Sequence, residues 1–390
     1  MAVEPAVQRD RFFYEKAVMR FMQFFPFLSH FRKRYYIKRA LYIALAWTAV
    51  SIILFFYEYS VLQSSGNLSS DFHFFSNLTA IIITGMSAGI LGGLFIINLM
   101  EGWLRIYPFW KALVYIFLAY TVTAFVVTSL GVGYLKMSEL QVAFYDSAVL
   151  KEVLVFFGTF FFLRNYLIWL LIVITTLIIL MVNEKYGPGV FRDFLLGKYF
   201  HPKREERVFM FIDIRGATTI AEDIGEERYF NFLKDFFKDI APAIMYTRGE
   251  VYQYVGDEVV VTWKLKNGIY KINVLRCYFE MKRVIEKRKA KYIKRYGVYP
   301  DFKVGAHVGQ VMTGEVGILK REIAFSGDTL NTASRIQSLC NQYNVDILVS
   351  RKLVEALPYL PYHFKKEDIG EVNLKGKMES IDLITFELIK

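Results

Sequence analysis

Two aspartates stand where a divalent metal and a phosphate can be held. Asp213 closes the apolar run Val208-Phe-Met-Phe-Ile212, which has the length of a short buried strand. A turn with Gly216 follows, and helix signals begin at Thr218 or Thr219. A carboxylate there offers a hard oxygen ligand. The backbone of Gly216, Ala217 and Thr218 offers N–H groups without intrahelical partners. Asp257 sits at the tip of residues 249–263, which pattern as two strands around a tight Gly256-Asp257 turn. Either aspartate alone is an ordinary strand-end or turn residue. If the hairpin pairs beside the 208–212 strand, the two carboxylates approach and repel unless a cation lies between them. Divalent metals fill that role, and two of them can bind a triphosphate.

A second cluster lies in Ser326-Gly-Asp-Thr-Leu-Asn-Thr-Ala-Ser-Arg335, a turn running into a helix. Asn331 and Arg335 are four apart and share one helix face. A neutral donor beside a fixed cation suits charge developing on a phosphoryl group, although alone the pair is also an ordinary helix surface.

The elements that must position these residues follow from pattern. Residues 219–245 predict one helix, and 302–316, punctuated by glycines, predict a second hairpin. Residues 264–296 predict a helical region with twelve Lys or Arg against Glu280 and Glu286. Its stripe of Val274, Tyr278, Met281 and Ile285 belongs in a core. Its basic face is expected to be solvated, with anionic lipid the next reading. Nucleic acid is not expected, because no stacking platform or recognition motif accompanies the charge. Ile347-Leu-Val-Ser350 predicts a buried strand, and 370–377 a glycine-punctuated loop whose lysines reach phosphate.

The first half has another character. The chain of 390 residues is 54% apolar and 17% aromatic, with the apolar residues concentrated N-terminally, and its net charge is +11. Four apolar spans, near 40–58, 76–99, 109–131 and 152–183, have the length needed to cross a bilayer. Arg164-Asn165 interrupts the last, so its crossing part is expected from 166 to 182, behind an amphipathic lead-in. Arg164 is expected to snorkel to the interface. Residues 58–75 contain no Lys or Arg, whereas residues 1–39 hold nine and the stretch after the fourth span is also basic. Positive residues stay in the cytoplasm, so both termini are expected there, in the cell membrane. Gly85, Gly89 and Gly93 mark a close-packing face, within the bundle before any dimer contact. No His pair for haem and no chain of buried acids is present. Cys277 and Cys340 lack metal-ligand spacing and are assigned to structure. No cleavable signal pattern is seen at the N-terminus. Domains are expected at 1–39 (basic segment), 40–184 (spans), 185–205 (linker with a short helix at 190–197) and 206–390.

Residues 206–390 resemble the class III nucleotidyl cyclase catalytic domain. The matching stretches are Phe211-Ile-Asp-Ile-Arg-Gly216, Val255-Gly-Asp257, Gly327-Asp-Thr-Leu-Asn-Thr-Ala-Ser-Arg335 and Leu374-Lys-Gly376, in the family's order. The resemblance implies an α+β ferredoxin-like (palm-type) domain that works as a homodimer, following the four-helix transmembrane bundle expected from the apolar spans. It implies two Mg²⁺ or Mn²⁺ per site on Asp213, Asp257 and the carbonyl of Ile214. Backbone after Ile214 would bind phosphate, and Lys375 the triphosphate. Asn331 would orient the ribose and Arg335 would stabilise the transition state, both serving the partner's metals. The implied reaction converts ATP to 3′,5′-cyclic AMP and pyrophosphate.

Two positions depart from the family pattern. Its base-reading residues fall on Gln253 and Ala324. Gln donates and accepts hydrogen bonds, and Ala does neither. ATP is favoured on family frequency, with GTP or a pyrimidine triphosphate as alternatives. A diguanylate cyclase, prompted by Gly256-Asp-Glu-Val, is opposed by Asn331 and Arg335. A non-catalytic pseudo-cyclase, prompted by Gln253 and Ala324, is opposed by the intact Asp213, Asp257, Asn331 and Arg335.

Overall fold

The computed structural model describes residues 30–66, 68, 72–101, 108–186, 193, 196–319, 321–361, 364–374 and 380–388. The expected linker helix at 190–197 lies largely outside them, and so do Lys375 and Lys377. The chain divides into two compact units, Met1–Met181 and Val182–Lys390.

The first unit is helical: α1 (His30–Ser64), α2 (Phe74–Glu101), α3 (Phe109–Leu140), α4 (Ser147–Phe157) and α5 (Phe160–Tyr186). Among the described residues four stretches are long and apolar enough to cross a membrane: Tyr36–Ser64, Asn77–Ile97, Leu113–Leu130 and Phe160–Asn183. α1 begins inside the expected basic segment and runs on without a break. The lead-in to the last span is a separate helix, α4, capped by Asp146, whose side chain accepts from the Ala148 N–H. α5 begins before Arg164, not after it. Arg164 pairs with Glu58 at 2.5 Å and lies over the Phe161 ring instead of standing alone at an interface. An ion inside an apolar helix is accommodated by such a partner. The glycine face packs within the unit. A Cβ on Gly89 would stand 2.4 Å from Ala44 Cα, and one on Gly85 3.0 Å from Ser51 Oγ, so these glycines admit α1.

The second unit contains β1 (Lys203–Ile214), α6 (Ala217–Ile224), α7 (Glu226–Tyr246), β2 (Glu250–Val255), β3 (Glu258–Lys264), α8 (Leu265–Ile269), α9 (Asn273–Tyr296), β4 (Phe302–Val316), β5 (Glu322–Ser326), α10 (Asp328–Ser338), β6 (Ile347–Ser350), α11 (Arg351–Glu355), β7 (Phe364–Asn373) and β8 (Ser380–Leu388). The sheet order is β2-β3-β1-β4-β6-β8-β7, with β5 paired to β4. Only β4 and β6 run parallel. The first four strands and their helices make a β-α-β-β-α-β unit in the order β4-β1-β3-β2, which is the ferredoxin-like, palm-type arrangement.

Alternation along β1 builds two layers. Val208, Met210 and Ile212 face α7 and α9, against Phe232, Phe236, Val274 and Met281. Phe209 and Phe211 face the other way, in a cluster with Ala333 of α10 and, at its edge, Tyr252 and Phe325. The expected stripe of α9 is buried throughout.

Several expectations change. β1 reaches back to Lys203, so residues 203–205, expected in the linker, begin a strand run laddered to β4 from Lys203↔Thr313 onward. Arg207 in that run is buried, with Glu205 at 2.7 Å, Glu250 at 3.0 Å and the Phe325 ring 4.6 Å away. It ties β1 to β2 and β5. Gly225, at φ 81°, splits the expected 219–245 helix into α6 and α7. The expected 302–316 hairpin is one continuous strand of 15 residues. Its glycines make room for neighbours, and the turn comes later, at Gly317 with φ 97°. The first half of the expected 370–377 loop belongs to β7.

Candidate active site

β1 ends at the loop into α6, and β3 pairs antiparallel with β1 through Ile212↔Val259. That register carries the β2–β3 turn to the end of β1. Gly256 takes φ 61° in this turn, a left-handed value that favours glycine. Asp257 is thereby brought beside Asp213, near enough for the two carboxylates to act on each other's charge.

Two further side chains were not singled out by sequence reasoning. Lys303, opposite Asp213 in the β1–β4 ladder, places Nζ 3.1 Å from Asp213 Oδ2. Gln337 of α10 donates from Nε2 to the same oxygen at 2.9 Å. Glu258, beside Asp257, completes the acidic group. Its adjacency to Asp257 was visible in the sequence, whereas only strand register and helix docking reveal Lys303 and Gln337.

Burial, then the nearby Asp213 carboxylate, pushes Asp257 up to about 6. Burial, then Asp213 and Asp257, pushes Glu258 up to about 7. Carboxyls raised in this way want a cation. The donors are hard oxygens, which fits Mg²⁺ or Mn²⁺. Among the described residues no three His, Cys, Asp or Glu side chains form a ready cage. A cation held by Asp213 and Asp257 would draw its remaining ligands from backbone, water or a phosphate.

This electrostatic arrangement gives a pH prediction. The protonated form of Asp257 is favoured by folding, so its stabilising contribution is complete below its ordinary value and is lost as pH rises through about 6. The proton and the metal compete for that carboxylate. Apparent Mn²⁺ affinity should weaken from pH 7 to pH 5, approaching about tenfold per unit below the pKa. Electron paramagnetic resonance titrations of free Mn²⁺ measure this. A flat profile over that range contradicts the prediction.

Gly216 caps α6 with φ 64°, and its carbonyl accepts from the Ile220 N–H at 2.9 Å. Ala217 and Thr218 form the first helical turn, which leaves their N–H groups facing the loop end without intrahelical acceptors. Arg215, between the two motif glycine and aspartate positions, points elsewhere. Its guanidinium donates to Asn341 Oδ1, the Val345 carbonyl and Asp346 Oδ1. Lys282 bridges Asp301 and Asp346 at 2.8 Å each, so the loops before β4 and β6 are fastened below the site.

α10 lies close on β4 because Gly305 and Gly309 lack side chains there. Thr329 Oγ1 donates to the Gln310 carbonyl at 2.9 Å. The helix buries Thr329, Thr332, Ala333, Ile336 and Gln337. Asn331 is exposed and Arg335 half-buried, on the flank outside that stripe. Neither bonds to Asp213 or Asp257, and Arg335 has no acidic partner among the described residues.

Gln253 is exposed on β2, just after a register shift between Val251 and Gln253. Ala324 is half-buried on β5, opposite Gly314. Their neighbours Tyr252 and Phe325 meet with ring centroids 4.9 Å apart, so the two segments adjoin although they are not laddered. Lys375 lies outside the described residues.

The Adenylate and Guanylate cyclase catalytic domain family model matches residues 201–389. Adenylate cyclase 2 of Rhizobium meliloti (strain 1021) is 34% identical over 207 residues, 53% of this chain and 57% of that protein. A receptor-type guanylate cyclase of Caenorhabditis elegans is 26% identical over 209 residues, 51% of this chain and 19% of that protein. A solved bacterial light-regulated adenylyl cyclase aligns at 20% identity and a TM-score of 0.45, over 53% of this chain and 58% of that one. The chain spans little more than half the length of the first of these relatives and less than a fifth of the second.

Proposed function

Residues 201–389 form a class III nucleotidyl cyclase catalytic domain, and from that premise we propose that the chain is a membrane-anchored adenylate cyclase. It acts as a homodimer, converting ATP to 3′,5′-cyclic AMP and pyrophosphate. One observation carries this reading: Asp213 and Asp257 meet at adjoining strand ends, while Asn331 and Arg335 sit unattached on the flank of α10. A site that needs all four is completed by a second copy.

In the reaction, the ribose 3′-oxygen forms a bond to the α-phosphorus. The bond from that phosphorus to the bridging oxygen breaks, pyrophosphate leaves, and the hydroxyl proton passes to solvent or phosphate. Divalent metal, when bound, neutralises the phosphates and acidifies the attacking hydroxyl. Asp213 and Asp257, with the Ile214 carbonyl, would hold it. Backbone N–H groups of Gly216, Ala217 and Thr218 bind phosphate. The partner's α10 supplies Asn331 to orient the ribose and Arg335 to stabilise charge on the transferring phosphoryl. Lys375 binds the triphosphate.

Gln253 and Ala324 face the base. The amide of Gln253 is compatible with either purine, and Ala324 contributes no hydrogen bond. ATP is favoured because the 34% identical relative is an adenylate cyclase, although a guanylate cyclase of Drosophila melanogaster reaches 31% over a shorter stretch. The four apolar helices anchor the chain in the cell membrane. The basic flanks of the first and last spans support a cytoplasmic position for both termini and the catalytic domain.

The test is a product assay on the purified chain with Mn²⁺ and ATP, GTP, CTP or UTP in separate reactions. Cyclic AMP as the main product is expected. Cyclic GMP or a cyclic pyrimidine nucleotide as the main product would replace the substrate assignment. No cyclic product from any of the four would leave a nucleotide-binding pseudo-cyclase.

A further inference from the structure

α7 and α9 cover the sheet face opposite α10, and four of their acids are engaged by arginine or lysine, two across the helix pair and two within α9. Asp235 holds Arg295 at 2.7 Å and the Tyr296 hydroxyl at 3.0 Å. Asp239 holds Arg288 at 2.6 Å and the Tyr292 hydroxyl at 3.0 Å. Glu280 pairs with Arg283, and Glu286 with Lys289. Lys287, Lys291 and Lys294 remain, exposed and spaced by four and three along one face of α9. Lys234 and Lys238 are exposed one turn apart on α7. Among the described residues none of these five lysines has a carboxylate in ion-pair reach. Phe230, 65% exposed, stands one turn before Lys234 on α7, whose Nζ lies 5.9 Å from its ring centroid.

We propose that this face of the catalytic domain docks on an anionic lipid surface. The five lysines supply attraction to acidic headgroups, and Phe230 enters the headgroup boundary. Nucleic acid recognition would call for an aromatic stacking platform or an arginine fork, and the unpaired cations here are lysines. The inference rests on the membrane-anchored reading. Only residues 184–202 separate the last apolar stretch from β1, a reach of at most about 70 Å when fully extended. A short tether of this kind keeps the lipid surface at high effective concentration.

The experiment uses the whole chain in nanodiscs. Ala290 is exposed between Lys287 and Lys291, and Ala290→Cys accepts a fluorophore while the buried Cys277 and Cys340 stay unlabelled. Discs contain a headgroup-labelled quencher lipid in phosphatidylcholine, with or without phosphatidylglycerol. Quenching is expected in phosphatidylglycerol discs and absent in pure phosphatidylcholine. It should be lost in about 0.5 M NaCl, where screening is short-ranged, and lost when Lys287→Glu, Lys291→Glu and Lys294→Glu are combined. That triple variant should keep wild-type cyclase activity in detergent, which separates lost docking from lost folding. Equal quenching in both lipids, or none in either, overturns the proposal. So does a label that responds to added RNA or polyglutamate and not to phosphatidylglycerol, which assigns the face to another occupant. A chain that fails to co-elute with the disc scaffold refutes the membrane-anchored reading itself, whereas co-elution without lipid-dependent quenching refutes only the docking face.

Discussion

Asp257→Ala and Arg335→Ala are each expected to abolish cyclic nucleotide formation, and mixing the two inactive variants is expected to restore about a quarter of wild-type activity. Asp257 lies against Asp213, and its loss removes one of two carboxylates able to hold a cation. Arg335 lies on the flank of α10, away from those acids, and its loss removes charge stabilisation worth roughly 10²–10³ in rate. In the proposed two-fold symmetric dimer each site would take its aspartates from one chain and its arginine from the other. A mixed dimer then holds one intact and one doubly damaged site. Random exchange makes half the dimers mixed, hence about a quarter of all sites intact. The measurement is cyclic product formation against mixing ratio after subunit exchange. Activity that stays at the level of the separate variants would refute shared sites. Single variants that keep full activity would refute the assigned roles.

Gly305→Ala is expected to cost about 1–3 kcal/mol of stability and about 100-fold in turnover. Its Cβ would stand 2.2 Å from Gln337 N and 2.5 Å from Gln337 Cα, which are backbone atoms of α10. No side-chain rotation relieves that clash, so the helix itself must move. The shift breaks the 2.9 Å bond from Gln337 to Asp213 and carries Asn331 and Arg335 with it. Displacement of a positioning element by an ångström is enough for a loss of this size. Gly314→Ala is the control. Its Cβ would meet Pro202 at 3.3 Å, a contact that yields by a few tenths of an ångström. Denaturant unfolding and steady-state turnover of both variants decide the matter. A Gly305→Ala enzyme with wild-type turnover would show that α10 does not depend on this close approach.

The sequence by itself determined much of the frame. Four apolar runs of bilayer length need no tertiary information, since hydrophobic length alone makes them candidates. The strand ending in Asp213, the hairpin with Asp257 at its tip and the buried stripe of α9 were legible because each depends on local period and turn chemistry. The glycines of 302–316 show where local reading ends. Glycine permits a turn and equally permits close approach, and only α10 and Pro202 packed against β4 decide for the second.

The same holds at the site. Nothing near Asp213 in sequence points to Lys303 or Gln337, yet ladder register and helix docking bring both to one of its oxygens. In the helical unit, Glu58 and Arg164 likewise become partners only through the packing of α1 and α5. Local pattern specifies which residues can do chemistry and on which element they ride. Which of them meet is set by contacts between distant segments, whose energies depend on the packing of the whole domain and are absent from any short window of sequence.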